Sequence, residues 1–478
     1  MDGENGQLHI FFFPYLAHGH IIPMTDMARL FVARGVRATI VTTPLNSLFI
    51  SKAIAKRKTD PDNRINIKTI KFSSAEAGLP EGCERADSIP SPALAIDFFK
   101  ATEMLQEPLE QLLLEENPNC LIADVFYPWA NDSAAKFGIP RIVFHGTGFF
   151  SLCAAECINL YEPYKKVSSE SEPFVIPNLP GDIKMTSMLL ADFVKSDGET
   201  DVKKLWREAK ESEEASYGVI VNSFKELEQA YVDHYCKAFG RKAWHIGPVS
   251  LLNRDNVEKV ERGEEAAIDE HECFKWLDSK KPNSVVYVCF GSIADFTETQ
   301  LKEIAIGLEA SGQNFIWVVK RSKNEIQDKE EWLPEGFEKR TKGRGLLIRG
   351  WAPQLLILDH ESVGGFVTHC GWNSTLEAVC AGVPMVTWPL SADQFYNERL
   401  VTQVLKIGVA VGVKKWVRVV GDSIKWEAVE KTVSRIMVGE EAEEMRNRSK
   451  KLACLARQAM EEGGSSYSDL NALIEELG

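Results

Sequence analysis

Basic residues are in short supply. The chain of 478 residues carries 55 Lys and Arg against 69 Asp and Glu, a formal net charge of −14. That balance excludes a general binder of nucleic acid or anionic membrane, while leaving room for a local basic pocket. Long apolar runs are missing as well: none approaches the roughly 18 residues of a transmembrane span. The start, MDGENGQ, lacks the basic stretch and small-residue cleavage site of a secretory signal. The 10 cysteines are scattered, with no Cys-x-x-Cys. Cys153 and Cys157 would share a helix face, but one pair does not make a zinc site. Free thiols in a reducing compartment, the cytoplasm, are therefore expected. Glycosylation sequons occur at Asn131, Asn373 and Asn447, and a glycan on Asn373 would block the most informative stretch of the chain, which agrees with the cytoplasm.

What is present is an alternation of strand and helix patterns. Hydrophobic residues make up 44% and charged residues 26%, ordinary for a soluble globular protein, and the length asks for two domains. LHIFFFPY reads as a buried strand, and MTDMARLFVARG as a helix with Met24, Met27, Ala28 and Phe31 on one face and Gly35 as its stop. RATIVTTP, CLIADVFYP and PRIVFHGTG continue the β-α-β order, which predicts a doubly wound parallel sheet. SVVYVCFGS, NFIWVVK, RGLLIRGWAP, GGFVTHCG and PMVTWPL repeat the scheme. The helix between the first two opens on a capping-box pattern, Thr297 to Gln300. The expected domains are residues 1–244 and 284–455, joined by a polar linker over 245–283, with a last helix over 456–478.

Ligands of such sheets sit at the carboxyl ends of the strands. In HCGWNSTLEA, a strand gives way to a helix whose unpaired N–H groups attract phosphate. Gly371 permits close approach, and His369, Asn373 and Ser374 can donate to phosphate oxygens. Read alone, Ser374 to Glu377 is also capping-box spacing and Asn373 a good N-cap. Gly291-Ser292 ends a second strand with another small-residue turn. Trp351 ends a third, where its face can stack on a base. Asp393 and Gln394 follow a fourth, suited to sugar hydroxyls. Together these four strand ends describe a nucleotide-sugar site.

From Trp351 to Gln394 the chain closely resembles the signature box of plant secondary-product UDP-glycosyltransferases, nearest to those acting on phenylpropanoids, coumarins and flavonoids. The likeness extends over essentially the whole chain, including FFFPYLAHGHIIPMTDMARLF. It implies a GT-B fold: two facing Rossmann-like α/β domains, with acceptor on the first and UDP-sugar on the second. The last helix would cross back to the first domain. It implies that Trp351 stacks on uracil, the Ala352 backbone meets the base edge, and Gln354 lies near the ribose. Glu377 would bind ribose hydroxyls. His369, Asn373, Ser374 and Ser292 would hold the diphosphate, and Trp372, Asp393 and Gln394 the sugar. The histidine of His-x-x-Pro, His20, would be the catalytic base, paired with Asp124 at the end of LIAD. His18 is read as a neighbour without a catalytic role. A histidine's ordinary pKa of about 6.5 suits that task, and Pro23 fits the first turn of the following helix.

The expected reaction is an inverting transfer of glucose from UDP-glucose to a small hydrophobic phenolic, giving a β-glucoside, with a triterpenoid acceptor as the alternative. N- and S-acceptors stay open. No metal or other cofactor is expected, since no Asp-x-Asp motif is placed to bind one. The remaining expectations are a monomer with no nucleic-acid partner and an acceptor pocket drawn from Phe13, Tyr15, Phe126, Phe149 and Phe150. Two other readings exist: a silent sugar-nucleotide-binding protein, which would be free to lose the dyad, and a sugar-nucleotide epimerase. Glutamine as the last residue of the box goes with glucose in this resemblance, and histidine with galactose or a pentose. Gln394→His should therefore weaken the preference for UDP-glucose over UDP-galactose in steady-state assays; an unchanged donor profile removes Gln394 from sugar reading.

Overall fold

The computed structural model describes residues 7–55, 65–260, 262–291, 296–319, 332–417 and 423–478. Its contacts divide the chain into two units. The first comprises Met1–Phe149, Ser196–Asn253 and Gln458–Gly478, the second Phe150–Lys195 and Arg254–Arg457.

The first unit is built on β1 (His9–Phe13), β2 (Arg37–Thr42), β3 (Ile65–Thr69), β4 (Cys120–Asp124), β5 (Arg141–His145), β6 (Gly218–Val221) and β7 (Ala243–His245). They form one parallel sheet in the order β3-β2-β1-β4-β5-β6-β7. A central parallel strand is covered on both faces, so its side chains are apolar without interruption. In β1, Ile10 and Phe12 enter one core with Met24, Met27 and Phe31 of the helix His18–Val32. Phe11 and Phe13 enter the other, with Phe98, Leu109 and Tyr127. Leu470 and Leu473 of the helix Ser465–Leu477 complete the first of these cores.

The second unit holds β8 (Val285–Cys289), β9 (Asn314–Val319), β10 (Gly345–Arg349), β11 (Val363–Thr368), β12 (Met385–Thr387) and β13 (Gly408–Ala410). These too are parallel, in the order β10-β9-β8-β11-β12-β13. Both sheets reverse their winding once: between β1 and β4 in the first, and between β8 and β11 in the second. A reversal sends the two adjacent connections to opposite faces and opens a crevice at the carboxyl ends of those strands. Each unit therefore has one preferred ligand position, fixed by topology before any side chain is considered. These paired Rossmann-like sheets make up the GT-B class of fold.

Several details differ from the sequence expectation. Residues 150–195 join the second unit rather than the first, carrying a short antiparallel pair, Pro173–Val175 with Lys184–Thr186. The polar stretch 245–283 is not an open linker: it folds into helices Asn256–Val260 and Glu270–Asp278, and the units divide after Asn253. The first helix begins at His18, so Pro23 lies inside it and not in its first turn. Thr297 caps its helix through Gln300 N, but the Gln300 side chain does not reach back; it bonds both backbone groups of Ile424. Among the described residues no helix is long and apolar enough to cross a membrane.

If the helix Ser465–Leu477 is structural core, Leu473→Ala should destabilise the first unit by about 2–5 kcal/mol. Exposed Glu475→Ala should stay within about 0.5 kcal/mol. Urea denaturation compares them; equal midpoints would remove the helix from the core.

Candidate active site

The crevice of the first unit opens between the ends of β1 and β4, and each end supplies one polar group. His20 follows β1, on the first turn of its helix; Asp124 is the last residue of β4. His20 Nδ1 lies 2.7 Å from Asp124 Oδ2. A carboxylate only accepts, so Nδ1 carries the proton and Nε2 keeps the lone pair. Asp124 is fully buried, while the His20 side chain keeps 20% of its surface exposed. The carboxylate is fixed in turn: Oδ1 accepts from Phe126 N at 3.1 Å, and its backbone carbonyl accepts from the buried Arg141 guanidinium at 2.9 Å. Gly146, after β5, closes on the imidazole: a Cβ there would stand 2.9 Å from His20 Cε1.

His18, two residues away, differs in kind. Its Nδ1 lies 2.5 Å from Asp87 Oδ2, and Arg85 Nη1 lies 2.9 Å from its Nε2. A guanidinium only donates, so both ring nitrogens of His18 are engaged within this loop and neither is left to act as a base.

Aromatic rings surround His20. Tyr15 and Phe126 meet its ring edge to face at 5.5 and 5.6 Å between centroids. Phe126 meets Phe99 and Trp206 at 6.0 and 5.7 Å. Burial pushes the Tyr15 hydroxyl well above its ordinary pKa, so Tyr15 stays neutral. Of the five expected acceptor residues, Tyr15 and Phe126 stand against His20. Phe13 is fully buried and stacked on Tyr127 at 4.3 Å. Phe149 is buried against Tyr235 and His245. Phe150 is fully buried and groups with the second unit. Proximity to a strand end misled here, since a helix start or strand can turn the ring into the core. Phe99 and Trp206 were missed. Trp206 had left a signal: it sits in a charged helix, DVKKLWREAKESEE, and is 43% exposed.

The crevice of the second unit opens between β8 and β11. The chain leaves β11 through His369 and Cys370, and Cys370 adopts the left-handed conformation, φ 64°, sparsely used by residues other than glycine. That turn starts the helix Trp372–Ala381 at once, with Gly371 as N-cap, a residue with no side chain to cap it. Asn373 is thus the second helical residue and not the cap. The His369 ring lies between Gly291 and Gly371, where added Cβ atoms would stand 2.7 and 2.5 Å from it. Burial pushes its pKa down to about 4, so His369 is neutral, and its Nδ1 has no hydrogen-bond partner among the described residues.

Glu377, one turn on, makes no capping bond. It accepts from Gln354 Nε2 at 2.7 Å and from Arg262. Gln354 also donates to Ser374 Oγ at 3.1 Å. Trp351 and Ala352 lead directly into Gln354, so base-, ribose- and phosphate-facing candidates form one continuous set. Trp372 retains only 3% of its surface, which leaves an edge of the ring or its backbone for any ligand. Asp393 bonds Asn397 Nδ2 at 2.9 Å. Gln394 Oε1 accepts from Leu390 N and Ser391 N at 2.8 and 3.0 Å, which makes its amide NH2 the end it can offer. Ser292 lies outside the described residues. Among those described, no three His, Cys, Asp or Glu side chains cluster closely enough to hold a metal ion.

Known proteins were compared with the chain. The UDP-glucoronosyl and UDP-glucosyl transferase family matches residues 204–417. The chain is 59% identical to scopoletin glucosyltransferase of Nicotiana tabacum, covering 99% of this chain and 98% of that protein. It is 56% identical to UDP-glucose flavonoid 3-O-glucosyltransferase 7 of Fragaria ananassa, over 98% and 96%. Among solved structures, Glycyrrhiza uralensis UGT73P12 complexed with glycyrrhetinic acid 3-O-monoglucuronide superposes with a TM-score of 0.92. It shares 42% identity over 99% of this chain and 96% of that one.

Removing the imidazole should cost transfer at least about 10²–10⁴-fold. His20→Ala is expected to do so with UDP binding and melting temperature nearly unchanged. Gly146→Ala, by displacing the ring from Asp124, should cost roughly a hundredfold. Retention of most of the rate in both, measured by product formation, overturns the assignment of the base.

Proposed function

The chain belongs to this family of UDP-glycosyltransferases, and from that premise we propose that it transfers glucose from UDP-glucose to a hydroxyl of a small hydrophobic phenolic, with inversion. The observation that carries the reading is the His20–Asp124 pair at the crevice of the first unit, with Nε2 of His20 left as the base among Tyr15, Phe99, Phe126 and Trp206. The names of the Nicotiana and Fragaria relatives support the phenolic class.

In the proposed step the acceptor hydroxyl gives its proton to His20 Nε2 as its oxygen attacks the anomeric carbon. The bond from that carbon to the β-phosphate oxygen breaks, and UDP leaves with the electron pair. Attack opposite the leaving group turns the α-linked donor into a β-glucoside. Asp124 holds the tautomer and stabilises the imidazolium that forms. The leaving diphosphate is assigned to Ser292, to Ser374 and to the start of the helix Trp372–Ala381, whose fixed dipole takes the role a metal ion has elsewhere. Trp351, Gln354 and Glu377 are assigned to the nucleoside, and Asp393 and Gln394 to the sugar.

The rings around His20 suit a flat aromatic acceptor, since ring pairs contribute beyond area alone. A second reading, a triterpenoid acceptor, is favoured by the glycyrrhetinic acid conjugate in the Glycyrrhiza complex. A cytoplasmic location is part of the proposal and is supported by the 10 cysteines, all of them free thiols.

Incubating the chain with UDP-glucose and a panel of coumarins, flavonoids and triterpenoids, read by mass spectrometry and NMR, tests this directly. A β-glucoside of a phenolic is expected. Conversion of triterpenoids alone selects the second reading, and an α-glucoside overturns direct displacement.

A further inference from the structure

The segment that begins the longer part of the second unit, NRDNVEKVERGEEAAIDEHE, reads as polar linker from its sequence. The fold puts it to another use. Arg262 donates to Oε1 of Glu377, a residue far along the chain in the signature box. The two side chains keep only 9% and 5% of their surface. Gly263, next in sequence, lies against Trp351: at φ 131° it is in a region that L side chains rarely adopt, and a Cβ would stand 2.2 Å from the indole Cζ2. Ala267 N then donates to the Trp351 carbonyl at 2.8 Å. One short run, 262–267, thus holds both Trp351 and Glu377, the two residues assigned to base and ribose.

The chemistry of Glu377 explains why such support is needed. A ribose cis-diol is bound by a carboxylate whose oxygens both face it, and a buried carboxylate left alone both swings and repels a nearby diphosphate. Gln354 Nε2 anchors Oε2 at 2.7 Å; a neutral amide fixes direction but offsets no charge. Arg262 anchors Oε1 and brings the missing positive charge. A carboxylate has about four acceptor positions, so after these two bonds one lone pair on each oxygen is left for the two ribose hydroxyls.

We propose that Arg262 is a positioning residue of the nucleotide site: it orients Glu377 toward the ribose diol and offsets its charge, while Gly263 lets the backbone buttress Trp351. This rests on the UDP-sugar reading given above. The opposite reading of the same contacts, a plug in which the guanidinium occupies the place of the ribose, makes the opposite prediction.

Binding of UDP and of 2′-deoxy-UDP to the full chain, measured by titration calorimetry, separates them. In wild type UDP should bind more tightly, because the deoxy compound leaves Glu377 short of one donor. Arg262→Gln should weaken UDP by about 10–100-fold, as loss of an orienting partner typically does. It should bring the two nucleotides within about twofold of each other. The loss should fall on KM for UDP-glucose more than on kcat, and Arg262→Lys should recover part of it. Gly263→Ala should weaken both nucleotides alike, because it disturbs the base and not the diol. Unchanged UDP affinity in Arg262→Gln, or an undiminished preference for UDP, overturns the proposal. Tighter UDP binding overturns it in favour of the plug. Equal loss of both nucleotides with a lowered melting temperature and no rescue by lysine overturns it in favour of a purely structural ion pair. Should the wild-type chain itself bind no UDP, the function reading falls first, and that failure is visible before any variant is made.

Discussion

The hydrogen bond between His20 and Asp124 joins two residues that are neighbours only because the winding of a sheet reverses. β1 and β4 lie side by side with two strands and several helices between them in sequence. Parallel strands bring all their carboxyl ends to one edge, so the histidine after β1 and the aspartate ending β4 meet without a special loop. Everything else about the first site follows from keeping that bond short. Phe126 N holds the carboxylate and Arg141 the backbone carbonyl of Asp124, Gly146 gives the imidazole its place, and the rings of Tyr15 and Phe126 confine it.

The second unit reuses the rule with different groups. Its reversal sets β8 beside β11, and the glycine after one strand faces the histidine after the other. Here the crevice carries no base. His369 is held neutral by burial, and the positive end is a helix that starts abruptly after a left-handed Cys370. A dipole and backbone N–H groups bind an anion without taking up or releasing protons. In the proposed function the division of labour is therefore chemical: proton transfer is assigned to one sheet and charge stabilisation to the other.

Much of this was legible in the sequence because strands and strand-end residues are contiguous in it. The runs LHIFFF and CLIAD read as buried strands because both faces of a parallel sheet are covered; Asp124 ends a strand, Trp351 follows one by two residues, and His20 and Glu377 lie early in the helices that follow strands. What escaped depended on partners distant in sequence. Phe13 ends a strand and turns into the core, while Phe126 lies in the turn after β4 beside His20. The first-unit helix starts a turn earlier than its proline suggests. Residues 150–195 cross to the second unit through contacts that no local pattern encodes, and Arg262 sits among charges that look solvated until Glu377 is placed beside it. Glu377 shows the same ambiguity in reverse, since capping-box spacing and ligand binding ask for the same residue types.

The helix Ser465–Leu477 has a consequence for how such a chain is made. Leu470 and Leu473 close the core that Ile10 and Phe12 begin. A ribosome delivers the first sheet early, yet the helix that packs against its edge strand β7 emerges only after the entire second unit. Domains ordinarily fold in the order they are synthesised; here the first begun is the last finished. Until those leucines arrive, the part of this core beside β7 lacks its cover. Nascent chains stalled after the second unit should therefore be more aggregation-prone than those in which this helix has emerged.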